Sequence, residues 1–156
     1  MNVRTVRPGE AGLVSRIAFR SKAWWGYPAA FMRACRAELT YSEADCARLH
    51  VAVVEDPDVL GFYALERLSA DDVELDALFV LPEAIGRGYG RVLWDHATQA
   101  ARDMGAATMI VQGDPNAQGF YLAMGARPAG RRESASISGR YLPLFAMALA
   151  RRHYAR

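Results

Sequence analysis

The stretch VLPEAIGRGYGR, residues 80–91, sets Gly86, Gly88 and Gly90 at alternate positions, with Arg87 and Arg91 among them. An apolar run precedes it and a helix-like pattern follows. Glycine adopts backbone angles that other residues avoid, and it has no side chain to hold a ligand away. The first amides of a helix lack internal partners, and the helix dipole is positive at that end. Together these features describe a seat for an anion such as pyrophosphate, formed by the backbone of Arg87, Gly88, Tyr89, Gly90 and Arg91. The order G-x-G-x-G-x is not the dinucleotide fingerprint G-x-G-x-x-G, and no P-loop Gly-Lys-Ser or Gly-Lys-Thr is present. On spacing alone, a glycine-rich connection without a ligand is the alternative.

The elements needed to hold such a seat are legible. VRTVR, RLHVAVVED, VLGFYALERL, DVELDALFV and ATMIVQ read as strands, with EDPD as a turn between the second and third. GEAGLVSRIAFRSKA and YPAAFMRACRAEL read as helices, the second with Pro28 in its first turn. GRVLWDHATQAARDM is a long helix stopped by Gly105. DPNAQGFYLAMGA is another, started by Asp114 and Pro115 and ended by Gly125. RPAGRRESAS and YLPLFAMAL complete the strands. The order β-α-α-β-β-β-α-β-α-β-β predicts a mixed α/β sheet with helices on its faces.

Composition narrows the class. The chain has 156 residues, 52% hydrophobic and 23% charged, which suits one domain spanning 1–156. No apolar run approaches the ~20 residues of a membrane span. MNVRTVRPGE lacks the apolar middle of a signal peptide. Cys35 and Cys46 are too few for a disulfide scaffold. A cytoplasmic protein with reduced thiols and no membrane partner is expected. A net charge of +2 is too mild to argue for nucleic acid, and the basic end RRHYAR reads as a solvated tail. His50, His96 and His153 are not at ligand spacing and the cysteines form no zinc pattern, so no metal is expected.

Two stretches then become specific together. LDALFVLPEAIGRGYGRVLWDHA resembles the acetyl-CoA-binding motif of the GNAT superfamily of N-acetyltransferases, with Gly88 and Gly90 at its two small positions. Ile85 stands where that motif carries Gln or Arg. DPNAQGFYLAMGA resembles the family's second motif through Ala117, Phe120, Tyr121 and Gly125, with Asp114 in place of the usual asparagine and Ala126 in place of the final aromatic. The similarity covers about residues 73–126. It implies a GNAT-like, mostly antiparallel sheet of about seven strands flanked by about four helices. The implied reaction is direct transfer of an acetyl group from acetyl-CoA, a co-substrate, to an amine acceptor, expected to be a small molecule.

The resemblance also implies roles. Tyr121 matches the tyrosine that protonates the departing thiolate. The amides of Leu78, Phe79 and Val80 pair with the pantetheine arm, and Asn116 takes over the asparagine's contact with the cofactor. An acceptor ammonium must lose a proton before it can attack, so a base is needed. Alternation along DVELDALFV puts Glu74 and Asp76 on the face of Leu78 and Val80, opposite residues 73 and 77. Glu74 matches a catalytic glutamate of some members. Either carboxylate acting through water is a candidate base, against a solvated strand end or an ion pair with arginine; His50 is a weaker candidate. SKAWWGYP, residues 21–28, supplies Trp24, Trp25 and Tyr27 as an acceptor wall or as a cluster closing the core. Two further readings stand beside the enzyme: a non-catalytic acyl-CoA-binding or sensing module, and another nucleotide-binding α/β protein. A homodimer through an exposed C-terminal strand is a further expectation.

Overall fold

The central strands form where β-branched and aromatic residues are densest. In HVAVVE and VLGFYALER nearly every side chain is buried on one face or the other, the pattern of strands covered by helices on both sides. The computed structural model describes residues 1–149. The tail RRHYAR, with His153, lies outside the described residues. Within them, seven strands make one sheet in the order β1-β2-β3-β4-β5-β7-β6. They are β1 Asn2–Thr5, β2 His50–Glu55, β3 Val59–Arg67, β4 Asp72–Val80, β5 Thr108–Gln112, β6 Arg127–Glu133 and β7 Tyr141–Ala148. Neighbours are antiparallel except β4 and β5.

The helices are α1 Ala11–Ala23, α2 Ala29–Cys35, α3 Glu43–Arg48, α4 Tyr89–Asp103 and α5 Gln118–Ala123. Alternation in β2 and β3 feeds two cores. Val51, Val53, Phe62 and Ala64 meet Val14 and Ile17 of α1 and Met32 of α2. Ala52, Val54, Tyr63 and Leu65 meet Leu93, Trp94, Ala97 and Ala101 of α4.

Four differences from the sequence reading have physical causes. Helix α3 adds a fifth helix; a reciprocal capping box between Ser42 and Asp45 starts it. Pro28 precedes α2 as its N-cap in extended conformation instead of occupying the first helical position. The C-terminal strand β7 is interior, between β5 and β6, so it is not the exposed contact expected for a dimer. YLPLFAMA can be buried, whereas every residue of RPAGRRE is exposed, and the polar strand takes the edge.

The fourth difference bears on chemistry. Ala64 pairs with Ala77 and Leu65 with Leu75, so β4 carries one extra residue, Asp76. This bulge resets the alternation. Val73 and Leu75 face the α4 core, and beyond the bulge Leu78 and Val80 do so too, while Ala77 and Phe79 face the α1 core. Glu74, between Val73 and Leu75, therefore lies on the face away from Leu78 and Val80, and Asp76 meets Tyr41 of the α1 core.

Candidate active site

Strands β4 and β5 part company halfway along. Their pairing ends at Leu75 and Val111, whereas β4 stays paired with β3 to Val80. The Leu81 amide donates to the Leu60 carbonyl at 2.8 Å. Alternation then turns Phe79 toward β3 as well and points the amides of Leu78 and Val80 into the gap. The backbone supplies hydrogen-bonding groups there with no strand among the described residues to meet them.

Two cavities open at this gap. One, of about 460 Å³, runs from Leu78 and Val80 past Ile85 to Gly86, Gly88 and Arg91. Its glycines have the predicted freedom: Gly86 has φ +80° and Gly88, the N-cap of α4, has φ +90°. The first bond of the α4 ladder runs from the Val92 amide to the Gly88 carbonyl, so the amides of Tyr89, Gly90 and Arg91 precede it. A Cβ on Gly90 would lie 3.3 Å from the Phe120 ring, so glycine here also lets α5 approach. The Tyr89 ring is buried and its hydroxyl donates to Asp56 at 2.8 Å, leaving mainly backbone to face a ligand. The Arg87 guanidinium lies 5.5 Å from the Tyr89 ring centre, on the exposed side.

The other cavity, of about 430 Å³, extends to the opposite side of the gap and carries Glu74, Asp76, Asp114, Lys22 and Arg132. The two share Ser21, Trp25, Leu78, Ala117 and Tyr121. Tyr121 is 7% exposed and packs among Trp94, Phe120 and Phe145, with ring centres 5.9, 5.4 and 5.6 Å away. Burial pushes its phenol well above the usual range, and the nearby charge of Asp114 adds to the shift. The hydroxyl therefore keeps its proton at neutral pH.

The two strand carboxylates differ. Glu74 is held by Arg132, whose Nη1 donates to Oε1 at 2.6 Å and also reaches Gln112 at 3.3 Å. Among the described residues, Asp76 accepts from the neutral Tyr41 hydroxyl alone, at 3.0 Å. Asp76 opens onto the cavity, yet surrounding atoms exclude enough water to raise its carboxyl above the ordinary value. The Tyr41 bond opposes that shift, and the charges of Glu74 and Glu66 add to it. Oxygens of Glu66, Glu74 and Asp76 lie within 4.8 Å of one another, an arrangement that can hold a cation; Arg48 and Arg132 already neutralise Glu66 and Glu74.

The tryptophans separate in place. Trp25 lines both cavities; Trp24 meets it edge to face at 4.8 Å, is 50% exposed and lines neither. Tyr27 stands behind the cavities, its hydroxyl 2.8 Å from Asp114 and within reach of Asn116 at 3.0 Å and Arg140 at 3.1 Å. Asn116 lines the glycine-side cavity. His50 contacts the buried Tyr63 hydroxyl at 3.2 Å, which meets His96 at 2.6 Å, away from both cavities. Sequence reasoning missed Tyr41, Arg132 and Lys22. The last left a signal: it is the single lysine among 19 lysines and arginines.

A split sheet with a glycine-capped helix on one side and a second cavity on the other sets two cavities against one shared wall. Residues 16–126 match the model of the Acetyltransferase (GNAT) family, and the chain belongs to that family. Peptidyl-lysine N-acetyltransferase YjaB of Salmonella typhimurium is 36% identical over 103 residues, 64% of this chain and 66% of that protein, just short of two thirds. The GCN5-related N-acetyltransferase from Rhodopseudomonas palustris has a TM-score of 0.77 at 22% identity, covering 95% of each chain. The PaiA N-acetyltransferase from Thermoplasma acidophilum, solved in complex with coenzyme A, has a TM-score of 0.72 at 17% identity, covering 94% of this chain and 98% of that one.

Proposed function

We propose that the protein is an N-acetyltransferase that moves the acetyl group of acetyl-CoA directly to a primary amine in a ternary complex. The observation that carries this reading is the meeting of two cavities at Leu78 and Tyr121. The residues fit the donor. Amides of Gly88 to Arg91 suit the pyrophosphate, the apolar wall of Val80, Ile85 and Phe120 suits the pantetheine arm, and the amides of Leu78 and Val80 suit its amide groups. An amide aimed at the thioester oxygen stabilises the negative charge that develops there. The reading places the protein in the cytoplasm, where acetyl-CoA is at hand.

In the transfer, the amine nitrogen bonds to the acetyl carbon and the carbon–sulfur bond breaks. Tyr121, kept protonated by burial, gives its proton to the leaving thiolate. The amine's proton leaves through water to a carboxylate. Asp76 suits this role better than Glu74, because Glu74 is already engaged by Arg132. The acceptor cavity suits one flexible amine-bearing chain, a small aliphatic amine or the lysine side chain for which the YjaB relative is named.

The test is thiol release from acetyl-CoA across small amines, amino acids, aminoglycosides and lysine-bearing peptides. Release with one class, reduced by about 10² to 10⁴ in Tyr121→Phe with little change in acetyl-CoA affinity, is the expected result. Stabilisation by acetyl-CoA without release for any class would favour a binding module instead. Unchanged turnover in Tyr121→Phe would remove Tyr121 from the acid role.

A further inference from the structure

Lys22 is the chain's single lysine, it is 7% exposed, and it sits in the last turn of α1. Its Nζ lies 3.0 Å from Asp114 Oδ2, a residue 92 positions away. It also lies 5.4 and 5.8 Å from the stacked rings of Tyr27 and Phe31. Asp114 is the residue that stands where the resembled motif carries asparagine. The one lysine and the one charged departure in that motif are thus each other's partners.

Asp114 is a point of convergence. It accepts from Lys22, from the Tyr27 hydroxyl at 2.8 Å, and from the Asn116 backbone and side-chain amides at 2.8 and 2.9 Å. Arg140, from the β6–β7 connection, stands 3.8 Å away and donates to the same Tyr27 hydroxyl at 3.1 Å. Burial pushes the Asp114 carboxyl up, but the Asn116 amide, Lys22 and Tyr27 outweigh it and hold it below its ordinary value. The carboxylate therefore stays charged and needs its cation.

Three elements of the acceptor side, α1, the α1–α2 connection and the β6–β7 connection, are thereby tied to the turn Pro115–Ala117. That turn leads directly into α5 and Tyr121. Asp114 lines the acceptor cavity, while Asn116 lines the donor cavity. We propose that Lys22 and Asp114 are positioning residues: their ion pair locks the turn carrying Tyr121 to the acceptor wall, so that acid and acceptor hold one fixed separation. The proposal rests on the reading of Tyr121 as the acid. The Arg140 guanidinium lies over the same rings, 5.4 Å from Tyr27 and 4.7 Å from Phe31, but reaches Asp114 only at 3.8 Å, so the direct bond to the carboxylate is left to Lys22.

The experiment compares Lys22→Met, Asp114→Asn and the double variant with wild type. Two readouts are taken: steady-state kinetics, and amide hydrogen exchange over the segment 115–121, whose first exchangeable amide is that of Asn116. Lys22→Met removes the direct ion pair and leaves Asp114 with Arg140 at 3.8 Å; kcat should fall by about 10-fold, with acetyl-CoA KM moving less than about 3-fold. Exchange across 115–121 should quicken in the same variant. The double variant, which removes both charges, should recover most of the lost kcat and the slow exchange. Asp114→Asn removes the other half of the same pair, and its kcat and exchange should move in the same direction as in Lys22→Met. Additive losses in the double variant, or unchanged exchange across 115–121 in Lys22→Met, would overturn the proposal. The exchange readout needs no turnover, so it fails or succeeds independently of the proposed acetyl transfer.

Discussion

Gly113 offers a test of how tightly Tyr121 is held. It is buried at the end of β5, and a Cβ added there would lie 2.9 Å from Tyr121 Cε2, 3.1 Å from Cδ2 and 3.2 Å from Phe145 Cε2. Ordinary contacts begin near 3.4 Å, so Gly113→Ala must push the Tyr121 ring by about 0.5 Å. The ring has little free side to move to, because Trp94, Phe120 and Phe145 surround it. Overpacking of this kind costs about 1–3 kcal/mol, which for a chain of this length lowers Tm by roughly 3–10 °C. A misplacement near 1 Å costs about 100-fold in rate, so about half that displacement should lower kcat on the order of 10-fold. Thermal unfolding and thiol release, measured on one preparation, read both quantities. Wild-type Tm and kcat would show that the ring is loosely held. A lowered Tm with unchanged kcat would break the link between the position of Tyr121 and turnover.

Further outcomes follow from the same geometry. Gly88→Ala meets no neighbour within 4 Å but forces alanine to φ +90°, so acetyl-CoA affinity should weaken about 10-fold; the shift of Tm with added acetyl-CoA measures it. Asp76→Asn should lower kcat/KM more than Glu74→Gln does. In wild type kcat/KM should fall as pH drops through the raised value of Asp76, because the base must be ionised; equal losses in the two variants would refute the preference. Glu10, bonded to Arg4 at 2.8 Å, has its carboxyl lowered from 4.5 to about 2. Its stabilisation is complete above pH 4.5 and is lost as pH falls toward 2. Denaturation across that window should show a loss of about 1–3 kcal/mol that is absent in Glu10→Gln.

Much of the frame was written locally. DVELDALFV forms β4 from Asp72 to Val80, and the glycine run opens α4 one residue from where helix-end chemistry puts it. These features depend on neighbours in sequence. Asp114 caps as expected, but the turn it starts is Pro115–Ala117, and α5 itself begins only at Gln118. What was hidden depends on partners far along the chain. The bulge at Asp76 arises from register with β3, and no alternation pattern in β4 alone reveals it. The ion pair between Lys22 and Asp114 joins residues 92 apart. Helix α3 was legible in principle, but its capping box ends in Asp45 where Glu or Gln is the usual mark, and six residues carry too few turns to show a period. Placement of β7 inside β6 was decided by the relative polarity of the two strands once both paired.

The parting of β4 and β5 gives the molecule an inner edge as well as outer ones. Open edges invite foreign strands, and proteins guard them. The outer edge at β6 is guarded by chemistry, with Arg127, Pro128, Arg131 and Arg132 along it. The inner edge is guarded by shape. It is a wedge closed at Leu75 and Val111 and roofed by side chains of both cores. A foreign strand needs a long row of free backbone groups, and the wedge leaves only the stretch from Asp76 to Val80. A slender chain of methylenes and amides has no such need. On the proposed function the pantetheine arm of acetyl-CoA is such a chain, and it meets an inner edge too short to hold a foreign strand.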